Sequence, residues 1–446
     1  MGLPLFTYDK IKEKIAGFFS CEQIESMARQ SGFVQRKSSL TGHSFLMLSM
    51  FDHHSHNRCS LNGLCASLMD YGIAIRKQSL HTRFNEASVD FLKSVASRLL
   101  LMRLTPLSAC FKGLSFCKRI LVLDSTSFQL PRCYSDTYKG CSGDASEAGI
   151  KIHLCYNLKA MGELNFEVQS AATSDKQNQI MYHDIRPGDL RIEDLGYCKF
   201  DRLQLIQKTG AYYISRLAAN TLLYDESGKE LDICTVIENM KLGEIREYSV
   251  LVSRTHQLAS RLILEKLPPH IVNEKMRKFR EHQRHRNRQI KQKSTLFKTV
   301  NAYITNVPAN QLPKQVVRRI YALRWQIELI FKTWKSYYHI NKIKKTKMHR
   351  FESYFYGKLI LILLHMKLYQ VFKQWFWNKC SIELSEIKAF PALIASSHKL
   401  KALLIYGGKM YPDLLGSLFL TMSNCCVKEK KTGRHRPIDL VRNSFC

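Results

Sequence analysis

The sequence predicts a mixed α/β protein, in which an α/β core with a β-rich insertion lies between helical N- and C-terminal regions. Residues 1–117 have apolar positions at helical spacing and almost no proline. From residue 118, short continuous apolar runs replace this helical spacing, and such runs are typical of buried strands. The last 75 or so residues are again helical in pattern. We therefore expect five segments: 1–117, 118–217, 218–310, 311–370 and 371–446.

The composition indicates a polyanionic partner. The 446 residues include 68 Lys and Arg against 37 Asp and Glu, a formal net charge of +31. The length and a hydrophobic content of 45% exclude a small disulfide-stapled domain and wholesale disorder. The 14 cysteines have no regular spacing, and the longest apolar run, at residues 359–364, has six residues. With no secretory signal in the sequence, we expect a cytoplasmic protein with reduced thiols and no membrane segment.

A candidate helix-turn-helix lies in the N-terminal region. Residues 61–70 have helical spacing, Gly72 offers a turn, and residues 76–85 resume a helix rich in hydrogen-bond donors. The second helix of such a motif contacts DNA bases and phosphates, which makes Lys77 and Arg83 candidate DNA contacts. An ordinary pair of packed helices with a basic outer face fits the same pattern. The net charge of the chain favours DNA.

The predicted core begins with the apolar run at residues 120–123, which ends at Asp124. Alternation and helical spacing then predict strands at 150–158 and 163–172, a polar helix at 175–183, a strand at 190–194, a helix at 200–208 and a strand at 211–217. Three strands, a helix, a strand, a helix and a strand are typical of a ribonuclease H-like mixed sheet.

Residues 218–310 form the predicted insertion. Its strand candidates are 221–224, 245–252, 262–267 and 300–307. Between them, residues 275–293 hold nine cations, among them Arg284, Arg286 and Arg288, and one acid. Such a run is commonly a solvated helix face. On a chain of net charge +31, an arm that follows DNA phosphates is the favoured interpretation.

A long helix is expected from residue 315 to about 338. At 100° per residue, four of its polar side chains fall within about 60° of one another beside an apolar face. They are Tyr321, Arg324, Glu328 and Lys335. A surface helix with an ordinary Arg–Glu pair has the same spacing, so periodicity alone does not choose between the two interpretations.

Two aspartates come at the ends of predicted strands, Asp124 and Asp194. Each alone is most often a cap, but an unpaired carboxylate at such a position needs a cation or a metal. Together with Glu328 they are three carboxylates converging on one edge of the sheet. Two Mg²⁺ ions performing phosphoryl displacement require such a set.

These residues lie in recognisable strings: Asp124 in LVLDSTSFQLP, Asp194 in IEDLGY, and the helix positions in Tyr321-x2-Arg324-x3-Glu328-x6-Lys335. The strings resemble those of DDE-class transposases of bacterial insertion sequences, specifically insertion-sequence family four with its Y-R-E-K signature. The resemblance covers about residues 60 to 370. It implies a ribonuclease H-like catalytic core with a β-rich insertion between the second Asp and the Glu.

The resemblance also implies site residues and partners. Asp124, Asp194 and Glu328 would be the catalytic and metal-binding triad for two Mg²⁺ or Mn²⁺ ions. Phosphates of the element end would be held by Tyr321, Arg324, Lys335 and Arg216. The implied partners are inverted-repeat ends, target DNA and a second copy of the chain in a synaptic dimer. Asp184 and Asp189 compete with Asp194, but neither precedes a Gly-Tyr pair.

Several alternatives stay open from the sequence. A non-catalytic, sequence-specific DNA-binding protein derived from a transposase, or a nuclease that cuts without joining, would share these motifs. Tyr321 could be a covalent nucleophile rather than a phosphate ligand. No tryptophan lies in the insertion, so the aromatic residue that stacks a flipped base in hairpin-forming relatives is unassigned, with Tyr248 and Tyr303 as candidates.

Overall fold

The fold is that of a computed structural model, which describes residues 5–52, 60–104, 114–141, 146–159, 164–178, 180, 182, 184–285, 287, 289–406 and 414–429. Two of the expected DNA contacts, Arg286 and Arg288, lie outside the described residues.

The N-terminal region is helical, as predicted. Its helices are α1 (Leu5–Phe18), α2 (Cys21–Gln30), α3 (Gly42–Met47), α4 (Leu61–Met69), α5 (Lys77–Arg83) and α6 (Glu86–Leu101), with a π-helical turn at Leu48–Asp52. The turn between α4 and α5 contains Gly72 at φ +71°, a conformation that glycine adopts without steric cost. Leu64 and Leu80 bury the inner faces of the two helices. The two predicted helices are confirmed, while their contact with DNA stays a prediction.

A mixed sheet forms the core. Its first elements are β1 (Arg119–Leu130), β2 (Ala148–Asn157), β3 (Leu164–Ser170), β4 (Asp189–Glu193), α7 (Phe200–Lys208) and β5 (Tyr212–Arg216). The strand order is β3-β2-β1-β4-β5, with β1, β4 and β5 parallel and β2 antiparallel to both neighbours. This arrangement confirms the predicted α/β class and is consistent with a ribonuclease H-like core.

Two local predictions for the core are wrong. Asp124 is not the end of its strand, because β1 continues to Leu130 by antiparallel pairing with β2. The parallel partner β4 does stop there, since its last residue, Glu193, pairs with Leu123. Asp124 is therefore the first residue of β1 beyond the parallel ladder. The predicted helix at 175–183 is, within the described residues, only a 3₁₀ turn at Asp175–Gln177.

The insertion extends the same sheet. It consists of β6 (Leu223–Tyr224), α8 (Ile233–Glu238), β7 (Ile245–Val252), β8 (Leu258–Lys266), α9 (Pro269–His285), α10 (Gln292–Leu296) and β9 (Val300–Thr305). Because β9 pairs antiparallel with β5, the described strands form one nine-stranded sheet that continues as β5-β9-β8-β7-β6. The basic segment lies largely on α9, which has no buried residue.

The predicted helix from residue 315 is two helices. They are α11 (Lys314–Tyr321) and α12 (Trp325–Ser336), joined by a 3₁₀ turn at Ala322–Arg324. Neither glycine nor proline occurs in this stretch, so the sequence does not mark the break. The turn matters because Arg324 is its last residue.

The C-terminal helices complete the fold. They are α13 (Met348–Trp375), which continues as a π-helical turn at Phe376–Cys380, α14 (Glu386–Ala395), α15 (Ser397–Tyr406) and α16 (Leu414–Cys425). The continuous segment Met348–Cys380 is long and apolar enough to cross a membrane, yet 94% of its most apolar stretch is buried inside the protein. That burial is the environment of a core helix, packed here against α6.

Candidate active site

Three elements bring the predicted carboxylates to one place. β1 supplies Asp124, the turn after β4 supplies Asp194, and α12 supplies Glu328. Arg324 joins two of them: one guanidinium nitrogen donates to Asp124 Oδ2 at 2.6 Å, and another donates to Glu328 Oε1. Tyr321 reaches the third, donating its hydroxyl to Asp194 Oδ1 at 3.2 Å.

Burial sets the electrostatics of Asp124. The pKa of this carboxyl is raised to about 6, chiefly by removal from water and also by the negative charges of Asp194 and Glu328. The backbone amide of Ser125 and the guanidinium of Arg324 oppose the rise. Asp124 thus keeps a raised pKa even though Arg324 contacts it directly.

The Tyr321 hydroxyl is held in its protonated form. Its side chain is 8% exposed. Burial raises the pKa of the phenol well above its usual value, and the charge of Asp194 adds to the effect. A protonated phenol that donates to a carboxylate is a poor nucleophile, which disfavours the covalent-tyrosine alternative.

The other two predicted phosphate ligands flank the carboxylates. Lys335 donates to the carbonyl of Ser127 on β1 at 3.1 Å, and burial lowers its pKa. The guanidinium of Arg216 lies over the Tyr321 ring, 5.9 Å from its centroid. The predicted stripe from Tyr321 to Lys335 therefore faces the strands that carry the acids.

The competing aspartates are engaged elsewhere. Asp189 begins β4, at the opposite end of that strand from Asp194. Arg119 binds Asp189 through two contacts of 2.7 Å and Asp184 through another of 2.7 Å. Their charges are thus compensated away from the site, and the geometry favours Asp194.

A polar group behind the site was not anticipated from the sequence. Asp175 accepts hydrogen bonds from Ser125 at 3.2 Å and from Lys151 at 3.0 Å. The turn after Asp194 lies against Asp175, since a Cβ atom at Gly196 would be in ordinary van der Waals contact with its carboxylate, at 3.4 Å. None of the motifs read from the sequence identifies Asp175.

The donor chemistry of the site fits a hard divalent ion, since carboxylate oxygens are the ligands Mg²⁺ prefers. The present spacing does not form a complete site. Among the residues that the structure describes, no three His, Cys, Asp or Glu side chains are close enough to share a metal ion. The guanidinium of Arg324 instead bridges Asp124 and Glu328. The donor set therefore fits a divalent ion in its chemistry, and the site as seen here holds an arginine between two of the donors.

The more distant DNA-contact predictions have different surroundings. Lys77 is exposed, as is Arg284 near the end of α9. Arg83 is turned inward: it donates to the Leu40 carbonyl at 3.2 Å and lies 4.8 Å from the centroid of the Phe33 ring. An intramolecular packing role explains Arg83 without DNA, while Lys77 and Arg284 remain open to solvent.

Neither aromatic candidate in the insertion is assigned to a flipped base. Tyr303 is 3% exposed, and its ring packs against that of Tyr321 with 5.0 Å between centroids. It has no free face for a base in this conformation. Tyr248 is half-buried on β7.

Comparison with known proteins agrees with this site. Residues 115–364, which include all three acids, match the family described as "Transposase DDE domain". The chain is 30% identical to the transposase for insertion sequence element IS1151 of Clostridium perfringens, over 97% of this chain and 96% of that protein. It is 34% identical to the transposase for element IS231F of Bacillus thuringiensis, over 84% and 83% of the two chains. The transposase for element IS421 of Escherichia coli is 20% identical over 80% of this chain.

The match to the domain covers more than half of the chain, and the first two relatives are aligned over most of their own lengths. This chain therefore belongs to the family of insertion-sequence transposases with a DDE domain.

Proposed function

We propose that the protein catalyses metal-dependent cleavage at the ends of a bacterial insertion sequence and joins those ends to target DNA. The observation that carries the proposal is the convergence of Asp124, Asp194 and Glu328 from three separate elements beside Arg324 and Tyr321. A structural ion pair needs only two of these groups. Three acids with cationic neighbours suit a phosphodiester and its metal ions.

The acidic and the basic residues of the site have different roles. Asp124, Asp194 and Glu328 would hold two Mg²⁺ or Mn²⁺ ions, which supply activation of water and stabilisation of the attacking and leaving oxygens. Arg324 and Lys335 attract and orient the phosphates on either side of the scissile bond. Tyr321 fixes Asp194 through its hydroxyl. No covalent protein nucleophile is required.

The finer assignments belong to the same proposal. The string from Tyr321 to Lys335 matches the Y-R-E-K signature and supports membership of that subgroup of insertion-sequence family four. Action on two ends at once implies a dimer in the synaptic complex. The substrate is bacterial DNA, so the protein acts in the cytoplasm, and its net charge of +31 suits that polyanion.

The proposal is tested with purified protein, a labelled duplex carrying one element end with its flank, and an unlabelled plasmid as target. We expect cleavage at the end and joining to the plasmid in Mg²⁺, and neither in EDTA. Cleavage without joined products would support a nuclease instead. Binding without cleavage in either Mg²⁺ or Mn²⁺ would support a non-catalytic DNA-binding protein.

A further inference from the structure

Four cations meet on one face of the sheet, next to the candidate active site. They come from four different elements: β5, α9, the 3₁₀ turn Phe297–Thr299 and α11. We call them the four-cation cluster, which consists of Arg216, Lys275, Lys298 and Arg318.

The sheet register places this cluster beside Asp194. Glu193, the last residue of β4, pairs with Ser215 on β5, so the residues that follow each of them, Asp194 after the end of β4 and Arg216 at the end of β5, lie side by side. Arg216 in turn pairs with Tyr303 on β9. The cluster therefore begins at the edge of the candidate active site.

The same face continues outward across β9 and β8. Asn301 is two residues before Tyr303 and so lies on its face of the sheet, opposite Glu265 on β8. Lys275 donates to Asn301 Oδ1 at 2.8 Å, and Asn301 donates to Glu265 at 3.0 Å. Arg318 donates to the other oxygen of Glu265 at 2.7 Å. Lys275 and Arg318 are thus joined through one amide and one carboxylate.

Acidic compensation in this region is sparse. Of the carboxylates in the described residues, Glu265 is the one that contacts the cluster, through Arg318. Lys275 contacts an amide, Lys298 lies over the Phe279 ring at 4.7 Å, and Arg216 lies over a tyrosine ring. The cluster thus has four positive charges against one carboxylate in direct contact, and Asp194 is the next acid beyond Arg216.

The neighbouring positive charges also lower the pKa values of two lysines of the cluster, Lys275 and Lys298. Burial lowers the pKa of Lys275 to about 8, and repulsion from Arg216, Lys298 and Arg318 contributes, with Glu265 opposing. Burial and Arg216 likewise lower the pKa of Lys298. Folding has therefore assembled like charges that repel one another, and a bound polyanion would relieve that repulsion.

We propose that the four-cation cluster binds backbone phosphates of the DNA strand that passes the Asp194 side of the active site. The inference rests on the proposed function and deepens it, because it adds Lys275, Lys298 and Arg318 to the DNA-contacting surface and gives the insertion a role beside the scissile bond. Arg216 lies on the sheet and Arg318 on α11, so these two members of the cluster are fixed relative to the carboxylates. The cluster is a separate feature from the exposed outer face of α9.

The test compares a double variant, Lys275→Gln with Lys298→Gln, with a charge-matched control variant, Lys208→Gln with Lys229→Gln. Lys208, at the end of α7, and Lys229 are exposed and lie outside both the cluster and the basic segment 275–293. Affinity for an element-end duplex is measured without divalent metal over a range of salt concentrations. A lost phosphate contact lowers the slope of log affinity against log salt by about 0.9. We expect a drop of about 2 for the double variant and no measurable drop for the control.

Two further arms locate the contact. Duplexes with a single neutral methylphosphonate linkage are scanned on either side of the cleavage point. One linkage should weaken wild-type binding several-fold and leave the double variant unaffected. Calorimetry in two buffers near pH 8 should show proton uptake by the wild type on binding and less by Lys275→Gln. The charge-preserving variant Lys275→Arg with Lys298→Arg should retain the wild-type salt slope.

The outcomes separate this inference from the proposed function. If the wild type cleaves end DNA but the double variant has the salt slope and linkage pattern of the control variant, the inference is wrong and the proposed function survives. If the wild type does not bind the end duplex at all, both are wrong. Circular dichroism and thermal melting confirm that each variant is folded before its slope is compared.

Discussion

At the scale of single residues, Arg324 decides how the site is arranged. It is the cation that the structure places between Asp124 and Glu328, and it also belongs to the string expected to bind phosphate. The guanidinium cannot bind the two carboxylates and a DNA phosphate at the same time with full strength. DNA that attracts Arg324 away from the acids would make room for metal ions, so phosphate binding and metal binding are expected to favour each other.

The substitution Arg324→Gln separates the two roles. Without DNA, it leaves three carboxylates with less positive charge nearby, so Mn²⁺ should bind about tenfold more tightly or better. With DNA, cleavage should fall because a phosphate ligand is lost. Mn²⁺ affinity is measured by electron paramagnetic resonance, with the exposed Arg319→Gln as control. Weaker Mn²⁺ binding in Arg324→Gln than in the control would contradict the arrangement.

Tyr321 offers a second test at this scale. Its hydroxyl donates to Asp194 and remains protonated, so Tyr321→Phe removes one hydrogen bond and no nucleophile. We expect cleavage to continue at a rate reduced by about tenfold, consistent with loss of about 1 to 2 kcal/mol. Denaturing gels of quenched wild-type reactions should show no protein–DNA adduct. A covalent adduct that disappears in Tyr321→Phe would restore the nucleophile interpretation.

At the scale of elements, close packing fixes the long helix α13 against the N-terminal region. A Cβ atom at Gly357 would lie 2.2 Å from the carbonyl oxygen of Ser49, too close for any side chain. Glycine is therefore required where α13 crosses the π-helical turn Leu48–Asp52. The crossing connects the predicted DNA-binding helices to the helix that follows the active-site segment.

Gly357→Ala should destabilise the protein, because either the helix or the turn must move. Overpacking of this kind typically costs about 1 to 3 kcal/mol. The matched control is Gly17→Ala in α1, where no atom lies within 4 Å of the added carbon and alanine favours the helix. Urea unfolding gives the free energy of unfolding of both variants and of the wild type. A free energy of unfolding in Gly357→Ala equal to that of the wild type would refute the close approach.

A buried ion pair fixes α13 against α14. Lys373 Nζ lies 2.7 Å from Glu386 Oε1, and both side chains are under 10% exposed. Although burial alone would raise the pKa of Glu386, the charges of Lys373 and Lys428 lower it to about 2. Because the folded pKa is below the ordinary value, this carboxylate stabilises the fold above about pH 4.3 and loses that contribution as pH falls toward 2.

Glu386→Gln should therefore be strongly destabilised at pH 7, by about 3 to 5 kcal/mol, since Lys373 is left buried without its partner. The difference in unfolding free energy from the wild type should narrow as the pH falls from about 4.3 toward 2, where the wild-type carboxylate loses its contribution. Unfolding free energies at several pH values measure this. A double variant, Lys373→Met with Glu386→Met, should recover much of the loss. A difference that stays constant with pH would rule out the ion-pair explanation.

At the scale of the whole molecule, one sheet connects the insertion to the catalytic core. The pairing of β5 with β9 makes this connection, and the entire insertion separates the two strands in sequence. Such a long-range pairing leaves no local pattern, so the sequence predicted the insertion's strands but not their place in the sheet. The four-cation cluster beside the active site depends on the same pairing, so it could not be predicted from the sequence either.

The carboxylate triad was more accessible to prediction. Asp194 directly follows a short strand and sits in a recognisable string, and Glu328 lies at a regular helical spacing from Tyr321 and Arg324. The position of Arg324 between the acids was not predictable, because it depends on an unmarked break between α11 and α12. Asp124 was found for a partly wrong reason: its strand continues, and only the parallel neighbour ends there.

The most direct test of the central claim, that these carboxylates carry out metal-dependent cleavage, is one kinetic comparison. Wild type, Glu328→Gln and the control Glu226→Gln, at an exposed position outside the basic segment, are assayed on end DNA in Mg²⁺, and binding is measured in parallel in EDTA. Glu328→Gln should bind within about threefold of the wild type and cleave at least about 100-fold more slowly. Glu226→Gln should match the wild type in both cleavage and binding. Wild-type cleavage by Glu328→Gln would show that this carboxylate does not belong to the catalytic site.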